Sequence, residues 1–333
     1  MSVKFETIAK AAPTGIAYTV WVSIDSLATS SEPVHWSDDT GLPGLWQSTT
    51  TYTGEIHQYL ASGTITVPAS KAGHVKLTAD AGPLGTASHT ITFEHWGAHP
   101  ALSGVSTNRA LDILPSDPGS GIDYSAQVTK TDGAPIAGAE VQWFVQPNNG
   151  VAKLFHTSGK PLPSVKGGYW TPVLTDSAGN AAVKVTATKT LAVTMTAQAP
   201  GVQASSKSAT GYFINPDDPG VPTLWQSPYA ILTNGELLIT PGQTQWRLTL
   251  PQLSSKWAQP DYSAYLYFQG NLLTVPWAID DTTGMINELP IELPTSIVKQ
   301  NKDLESNQAT LYTQSPTGSV VKSDTFEFGA YTD

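Results

Sequence analysis

At 333 residues and 40% hydrophobic content, the chain has material for two or three domains, each able to bury a core. Its net charge of −10, with Arg109 and Arg247 the only arginines, leaves no basic face to displace counterions from phosphate, which argues against nucleic acid as a partner. The absence of cysteine excludes a disulfide scaffold, a thiol nucleophile and a Cys-ligated zinc, and no apolar run reaches the roughly 18 residues of a membrane-spanning helix.

The segment opening Ser2-Val3-Lys4-Phe5 lacks the apolar core of a signal peptide. Localisation therefore stays open. The protein is secreted or surface-bound if a signal has been removed, and otherwise cytoplasmic or exported by another route. Ile16–Ile24, His74–Ala79 and Ser88–Phe93 alternate apolar and polar residues, as strands with one buried face do, and Ala81-Gly82-Pro83-Leu84-Gly85 reads as a turn. These predict a first sandwich over residues 1–96. A second, over 104–214, is predicted from strands at Ala110–Leu114, Ile122–Thr129, Ala139–Val145, Ala181–Ala187, Ala192–Ala199 and Lys207–Phe213. Its turns are Asp132-Gly133 and Ala178-Gly179-Asn180, where Gly and Asn tolerate positive φ.

Asn215-Pro216-Asp217-Asp218-Pro219-Gly220 predicts a stiff linker, and a third sandwich follows over 221–333. There Asn234-Gly235 predicts a hairpin spanning Ile231–Ile239. Gln245–Leu250, Ala264–Phe268 and Asn271–Val275 read as strands, and a short helix is expected from Ser296. Ala309–Thr313 and Val320–Phe328 flank a turn at Ser315-Pro316-Thr317-Gly318 as a closing hairpin. The predicted fold is all-β, a tandem of immunoglobulin-like β-sandwich domains.

In the middle domain, Asp132, Gly133, Pro135, Gly138, Val141 and Trp143 precede Thr175, Asp176, Gly179, Ala181 and the strand Val193–Ala197. That order and spacing resembles the bacterial immunoglobulin-like repeat of the invasin and intimin adhesin family, over about a third of the chain. The resemblance implies tandem sandwiches that display a binding surface on a rigid rod. Trp143 is expected to fill the sandwich core, with no disulfide beside it.

Two contact surfaces suggest themselves. The long segment between Val145 and Thr175 carries Phe155, His156, Tyr169 and Trp170, and loops on a rigid scaffold are where binding residues concentrate. The bland alternative is that these aromatics fold back over a sandwich edge. In the third domain Trp246, Trp257, Tyr262, Tyr265, Tyr267 and Trp277 fall close together, and Tyr265 and Tyr267 share one strand face. Trp257, Tyr262, Tyr265 and Tyr267 are the candidates there, for stacking on sugar or anchoring a protein. The alternative is one unusually aromatic core.

An internal echo joins Asp38–Ser48 to Asp217–Ser227, identical at eight of eleven positions and ending in Leu-Trp-Gln-Ser. A shared packing device is the plain reading, and a paired ligand contact the sharp one. Neither His95 and His99 nor Asp217 and Asp218 make a metal site by themselves, and no metal or cofactor is expected. No nucleophile elbow, phosphate loop or H-E-x-x-H occurs, so no enzyme is expected. The expected function is non-enzymatic bacterial adhesion or surface recognition, with a protein or glycan at a cell surface as partner. Alternatives are a structural or assembly component (fibre, phage-like appendage or effector carrier) and a glycan-binding accessory module. Oligomeric state is left open.

Overall fold

The computed structural model describes residues 2–25, 33–55, 58–107, 121–165, 168–202, 207–215, 218–257, 259, 262–269, 271–274, 279–280, 285–286, 289–301 and 306–332. The architecture is all-β, in sandwiches of immunoglobulin-like type, and the chain divides into two compact units. One unit holds the first and second sandwiches. The other holds the third, from Tyr212 onward, together with Ala187–Ala192.

In the first sandwich, Ser2–Phe5, Tyr18–Asp25, Gln58–Ile65 and Trp46–Glu55 lie side by side in one sheet. Ala11–Pro13, Thr86–Glu94, Gly73–Asp80 and His35–Asp38 form the other. The alternation in sequence sets the inner faces. Tyr18 and Val20 meet Val75, Leu77, Ile91 and Phe93, with the Tyr18 and Phe93 rings edge-on at 6.1 Å. Full burial of each such aliphatic or aromatic side chain contributes about 1.5–3 kcal/mol. Ala11–Pro13 joins its sheet in parallel, against Thr92–Glu94.

Trp36 and Trp46 stack at 5.2 Å across Gly63. A Cβ on Gly63 would sit 2.6 Å from the Trp36 ring and 2.8 Å from the Trp46 ring, so only glycine leaves room for the stack. Gly63→Ala is expected to lower stability by about 1–3 kcal/mol through overpacking, measured by denaturant unfolding. An unchanged midpoint would show that the stack moves aside freely.

The second sandwich pairs Ser106–Thr107, Ile122–Thr129, Asn180–Ala187 and Ala152–Phe155 in one sheet, with Ala101–Leu102 on the end of Ile122–Thr129. The facing sheet runs Thr171–Leu174, Glu140–Gln146, Leu191–Gln198, Lys207–Phe213. The predicted strand Ala110–Leu114 lies outside the described residues. Both predicted turns form: Gly133 has φ 84° and Gly179 φ 76°. Asp132 accepts the Ala134 N–H at 3.0 Å, and Asp176 accepts those of Ala178 and Asn180, each at 2.9 Å. Trp143 is 1% exposed, in the core as expected. Tyr124 buckles the two sheets, its hydroxyl donating to the Val193 carbonyl at 2.8 Å and accepting the Gly211 N–H at 3.0 Å.

The first two sandwiches dock through main-chain hydrogen bonds. The Gly138 carbonyl accepts the N–H groups of Lys10 and Ala11 at 2.9 and 3.0 Å. Glu140, 1% exposed, accepts those of Ile8 and Ala9 through one carboxylate oxygen at 2.6 and 3.2 Å, and the Gln142 amide through the other at 2.9 Å. In the same junction, Thr131 donates its N–H to the Trp96 carbonyl and accepts the His99 N–H on its hydroxyl.

The third sandwich is built on a sheet running Thr223–Trp225, Val320–Ser323, Asn307–Gln314, Ser263–Phe268, Asn271–Thr274. Phe326–Thr332 pairs antiparallel with Asn307–Ala309 and, on its other side, in parallel with Glu236–Ile239. Opposite lie the pair Gln245–Leu250 and Leu289–Pro294 and a small sheet of Leu253–Ser254, Met285–Ile286 and Ile279–Asp280. Trp246 anchors the core, 5.6 Å from Phe268 and 5.4 Å from Phe328. Two expectations need correction. Asn234-Gly235 makes its turn, with φ 54° and 83°, but only Thr233 and Glu236 bridge across it. The strand that follows pairs instead with Phe326–Thr332, since a tight turn sets local direction and not the partner. The helix expected from Ser296 is a single 3-10 turn, Thr295–Ile297.

Candidate functional site

The long segment after Val145 builds a groove on the second sandwich. After Glu140–Gln146 the chain turns at Gly150, φ 75°, and runs out as Ala152–Phe155. A tight turn, His156 to Lys160, closes through the His156 N–H to the Lys160 carbonyl and the Gly159 N–H to the His156 carbonyl, both 2.8 Å. The return limb bonds back through the Leu162 N–H to the Leu154 carbonyl at 3.0 Å and enters Thr171–Leu174 after Trp170. Between hairpin and sandwich lies a cavity of about 420 Å³. Trp143, Leu154, Phe155, Leu162 and Trp170 supply its apolar surface, and Asn148, Lys153 and Ser164 its polar part.

Trp143 and Trp170, 1% and 7% exposed, both line this groove, and each buries an indole N–H with no hydrogen-bond partner among the described residues. A buried donor left unsatisfied costs about 1–3 kcal/mol.

The predicted loop residues therefore divide. Phe155, half-buried, and Trp170 come together in the groove. His156 sits at the hairpin tip, its Nδ1 engaged by Ser158, and lies outside the groove. Tyr169, 46% exposed, also lies outside its lining. Trp170 corrects the picture of an exposed contact. Its ring packs edge-on against Trp21 at 5.3 Å and lies tilted against Phe144 at 6.2 Å, in a cluster with Leu60 and Val165. It thus cements the first sandwich to the second while walling the groove. Trp143 joins the site although its sequence context reads as core alone.

In the third sandwich the expected exposed strip does not form. Tyr265 is fully buried, stacked on Tyr312 at 5.5 Å and against Tyr212 at 5.1 Å, with Ala192, Ile214 and Val221. Burial, reinforced by the neighbouring Tyr312 and Tyr212, pushes its hydroxyl far above the ordinary tyrosine range. The sheet is covered on both faces here. Leu266 and Phe268 fill the sandwich core, and the tyrosine cluster fills the other side. Tyr267 is half-buried against that cluster. Trp257 and Tyr262, both half-buried, meet edge-on at 6.2 Å with the Lys256 ammonium 5.9 Å from the Trp257 ring. Trp277 lies outside the described residues.

Both echoed segments are used for packing. Asp38 accepts the Thr40 N–H at 2.9 Å and, through its other oxygen, the Trp46 indole N–H at 2.8 Å. In the second copy Asp218 accepts the Gly220 N–H at 2.9 Å and Trp225 packs on the third core, while Asp217 lies outside the described residues. Among the described residues no three His, Asp or Glu side chains cluster as metal ligands, and no helix is long and apolar enough to cross a membrane.

No protein-family model and no curated protein matches the chain. Among solved structures, the chain is similar to the D0-D1 domains of intimin, at 15% identity over 65% of this chain and 98% of that one, with a TM-score of 0.27. It is similar to the Yersinia pseudotuberculosis adhesin InvE at 17% identity, covering 69% of this chain and 67% of that one, TM-score 0.25. Domains 5-6 of the S-layer protein SbsC match at 12% identity over 65% and 98%, TM-score 0.27. The structural neighbours of this chain are thus immunoglobulin-like domains of intimin, an invasin-type adhesin and an S-layer protein.

Proposed function

We propose that the chain is a non-enzymatic recognition protein of a bacterial surface, in which the sandwiches are scaffold and the groove of the second sandwich takes the ligand. The observation that carries this is the groove beside the hairpin, walled by the rings of Phe155, Trp143 and Trp170 with Asn148 and Lys153 in its polar lining. Among the described residues its lining holds no Asp, Glu or His; it offers rings for stacking, and Asn148, Lys153 and Ser164 for hydrogen bonds. Its size suits one or two sugar rings or a short peptide turn, both rich in acceptors. The partner is accordingly a cell-surface glycan or protein.

The test is binding of the whole chain to a glycan array and to an array of surface-protein ectodomains. At least one ligand is expected, and Phe155→Ala and Lys153→Glu should each weaken it about tenfold or more with the circular dichroism unchanged. Two blank arrays, or a ligand indifferent to both substitutions, would sink the reading.

A further inference from the structure

The third sandwich leaves a ladder step open among its described residues. Gln245–Leu250 pairs along one side with Leu289–Pro294. On its other side Thr249 exchanges both backbone hydrogen bonds with Tyr229, at 2.9 and 2.7 Å. Successive residues of an antiparallel strand direct their N–H and C=O groups to alternate sides, so Arg247 and Gln245 face the Tyr229 side as well. The Gln245 carbonyl is taken by the Gln243 side-chain amide at 2.7 Å. Past Tyr229 the chain leaves the edge instead of continuing along it, and Ile231 stands 92% exposed. No described residue takes up the outward backbone pair of Arg247.

A groove of about 540 Å³ runs along this step, lined by Tyr229, Ile231, Leu237, Trp246 and Arg247. Trp246 is 2% exposed, and its indole N–H has no partner among the described residues. Arg247 reaches Glu292 only at 3.9 Å, with both side chains more than half exposed, a weak pairing that a better-placed carboxylate would displace. An open strand edge flanked by apolar side chains is a template for another strand, and folded proteins ordinarily block such edges.

We propose that this edge receives an extended peptide segment from a protein partner. The segment would exchange backbone hydrogen bonds with Arg247, seat an apolar side chain against Ile231 and Trp246, and direct a carboxylate to the Arg247 guanidinium. The free backbone pair selects a polypeptide over a glycan. The cation, in a chain of net charge −10, selects an acidic residue. This site is separate from the groove of the second sandwich and does not depend on that reading.

The test uses the whole chain and an array of heptapeptides with valine or isoleucine at alternate positions, each with aspartate, serine or lysine at the centre. Aspartate peptides are expected to bind best. N-methylation of the central amides should weaken them about tenfold or more, because a strand without its donors cannot add to the ladder. Peptide binding should raise hydrogen-exchange protection of the Arg247 amide. Ile231→Asp, at an almost fully exposed position, should abolish binding with the circular dichroism unchanged, and Phe155→Ala should leave it intact. The proposal is overturned if no peptide binds, if N-methylation has no effect, or if the chain alone dimerises with the Arg247 amide already protected, which would assign the edge to a second copy.

Discussion

Glu140→Ala is expected to destabilise the docked first and second sandwiches by about 2–6 kcal/mol, since it strips two buried donors, the N–H groups of Ile8 and Ala9, of their acceptor. Calorimetry should show the single transition of this unit separating into two as the sandwiches come apart. Glu140→Gln keeps an oxygen for Ile8 and Ala9, and the Gln142 amide can turn to meet the new NH₂ group, so it should cost within about 1 kcal/mol at low pH. The two variants also separate hydrogen bonding from charge. Burial raises the Glu140 carboxyl above the ordinary glutamate range, against the lowering effect of its bonds from Gln142, Ile8 and Ala9. The folded state then holds a proton that the unfolded chain has released. The stabilisation is complete below the ordinary glutamate pKa, falls as pH rises toward the raised value and is flat beyond it. Denaturation across pH 4 to 8 should show that decline in the native chain and not in Glu140→Gln (the window follows from ordinary carboxylate values). Parallel curves would show that Glu140 ionises normally in the folded state.

Trp170→Ala is expected to cost about 3–5 kcal/mol, the range for emptying a buried aromatic site. Its ring is the shared contact of Trp21, Phe144, Leu60 and Val165, so the loss reaches both sandwiches. The hairpin at Ala152–Phe155 should then become sensitive to limited proteolysis while the third sandwich stays resistant. Trp170→Phe should recover most of the stability, because it restores apolar volume without the indole N–H. If Trp170→Ala unfolds at the native midpoint, the cluster contributes little and the ring is held by the groove alone.

How much of this was legible in sequence depends on whether the governing contact is local. The Asp132-Gly133 and Ala178-Gly179-Asn180 turns, the strands Ile122–Thr129, Lys207–Phe213 and Gln245–Leu250, and the core position of Trp143 follow from alternation and turn chemistry over a few residues. Glu140 does not. In an alternating strand a glutamate reads as a solvent-facing residue, and what buries it is backbone more than 130 positions earlier. Tyr265 fails for a related reason. Alternation tells which residues share a face with Tyr265, but not that Tyr312 stands beside it on the neighbouring strand or that Tyr212 and Val221 pack on that face. A long aromatic loop on a sandwich points to Phe155 and Trp170, whereas nothing in the strand of Trp143 marks a groove behind it. Ile231 reads as the start of a hairpin arm, and neither its exposure nor that of Tyr229 is marked in the sequence, because both come from a strand that stops short.

The parallel pairing of Glu236–Ile239 with Phe326–Thr332 also bears on how the third sandwich is made. A strand emerging early from the ribosome has its neighbour about ninety positions downstream, and that neighbour also bonds to Asn307–Ala309. Until Phe326–Thr332 is synthesised, the edges of Glu236–Ile239 and Asn307–Ala309 stand open, with Leu237 and Ala309 uncovered. The first sandwich has the same long-range dependence in Ala11–Pro13, which waits for Thr92–Glu94. Assembly of these domains is therefore gated by the completion of each one, and slow translation late in the third sandwich would prolong the period in which its nascent edges are open to aggregation.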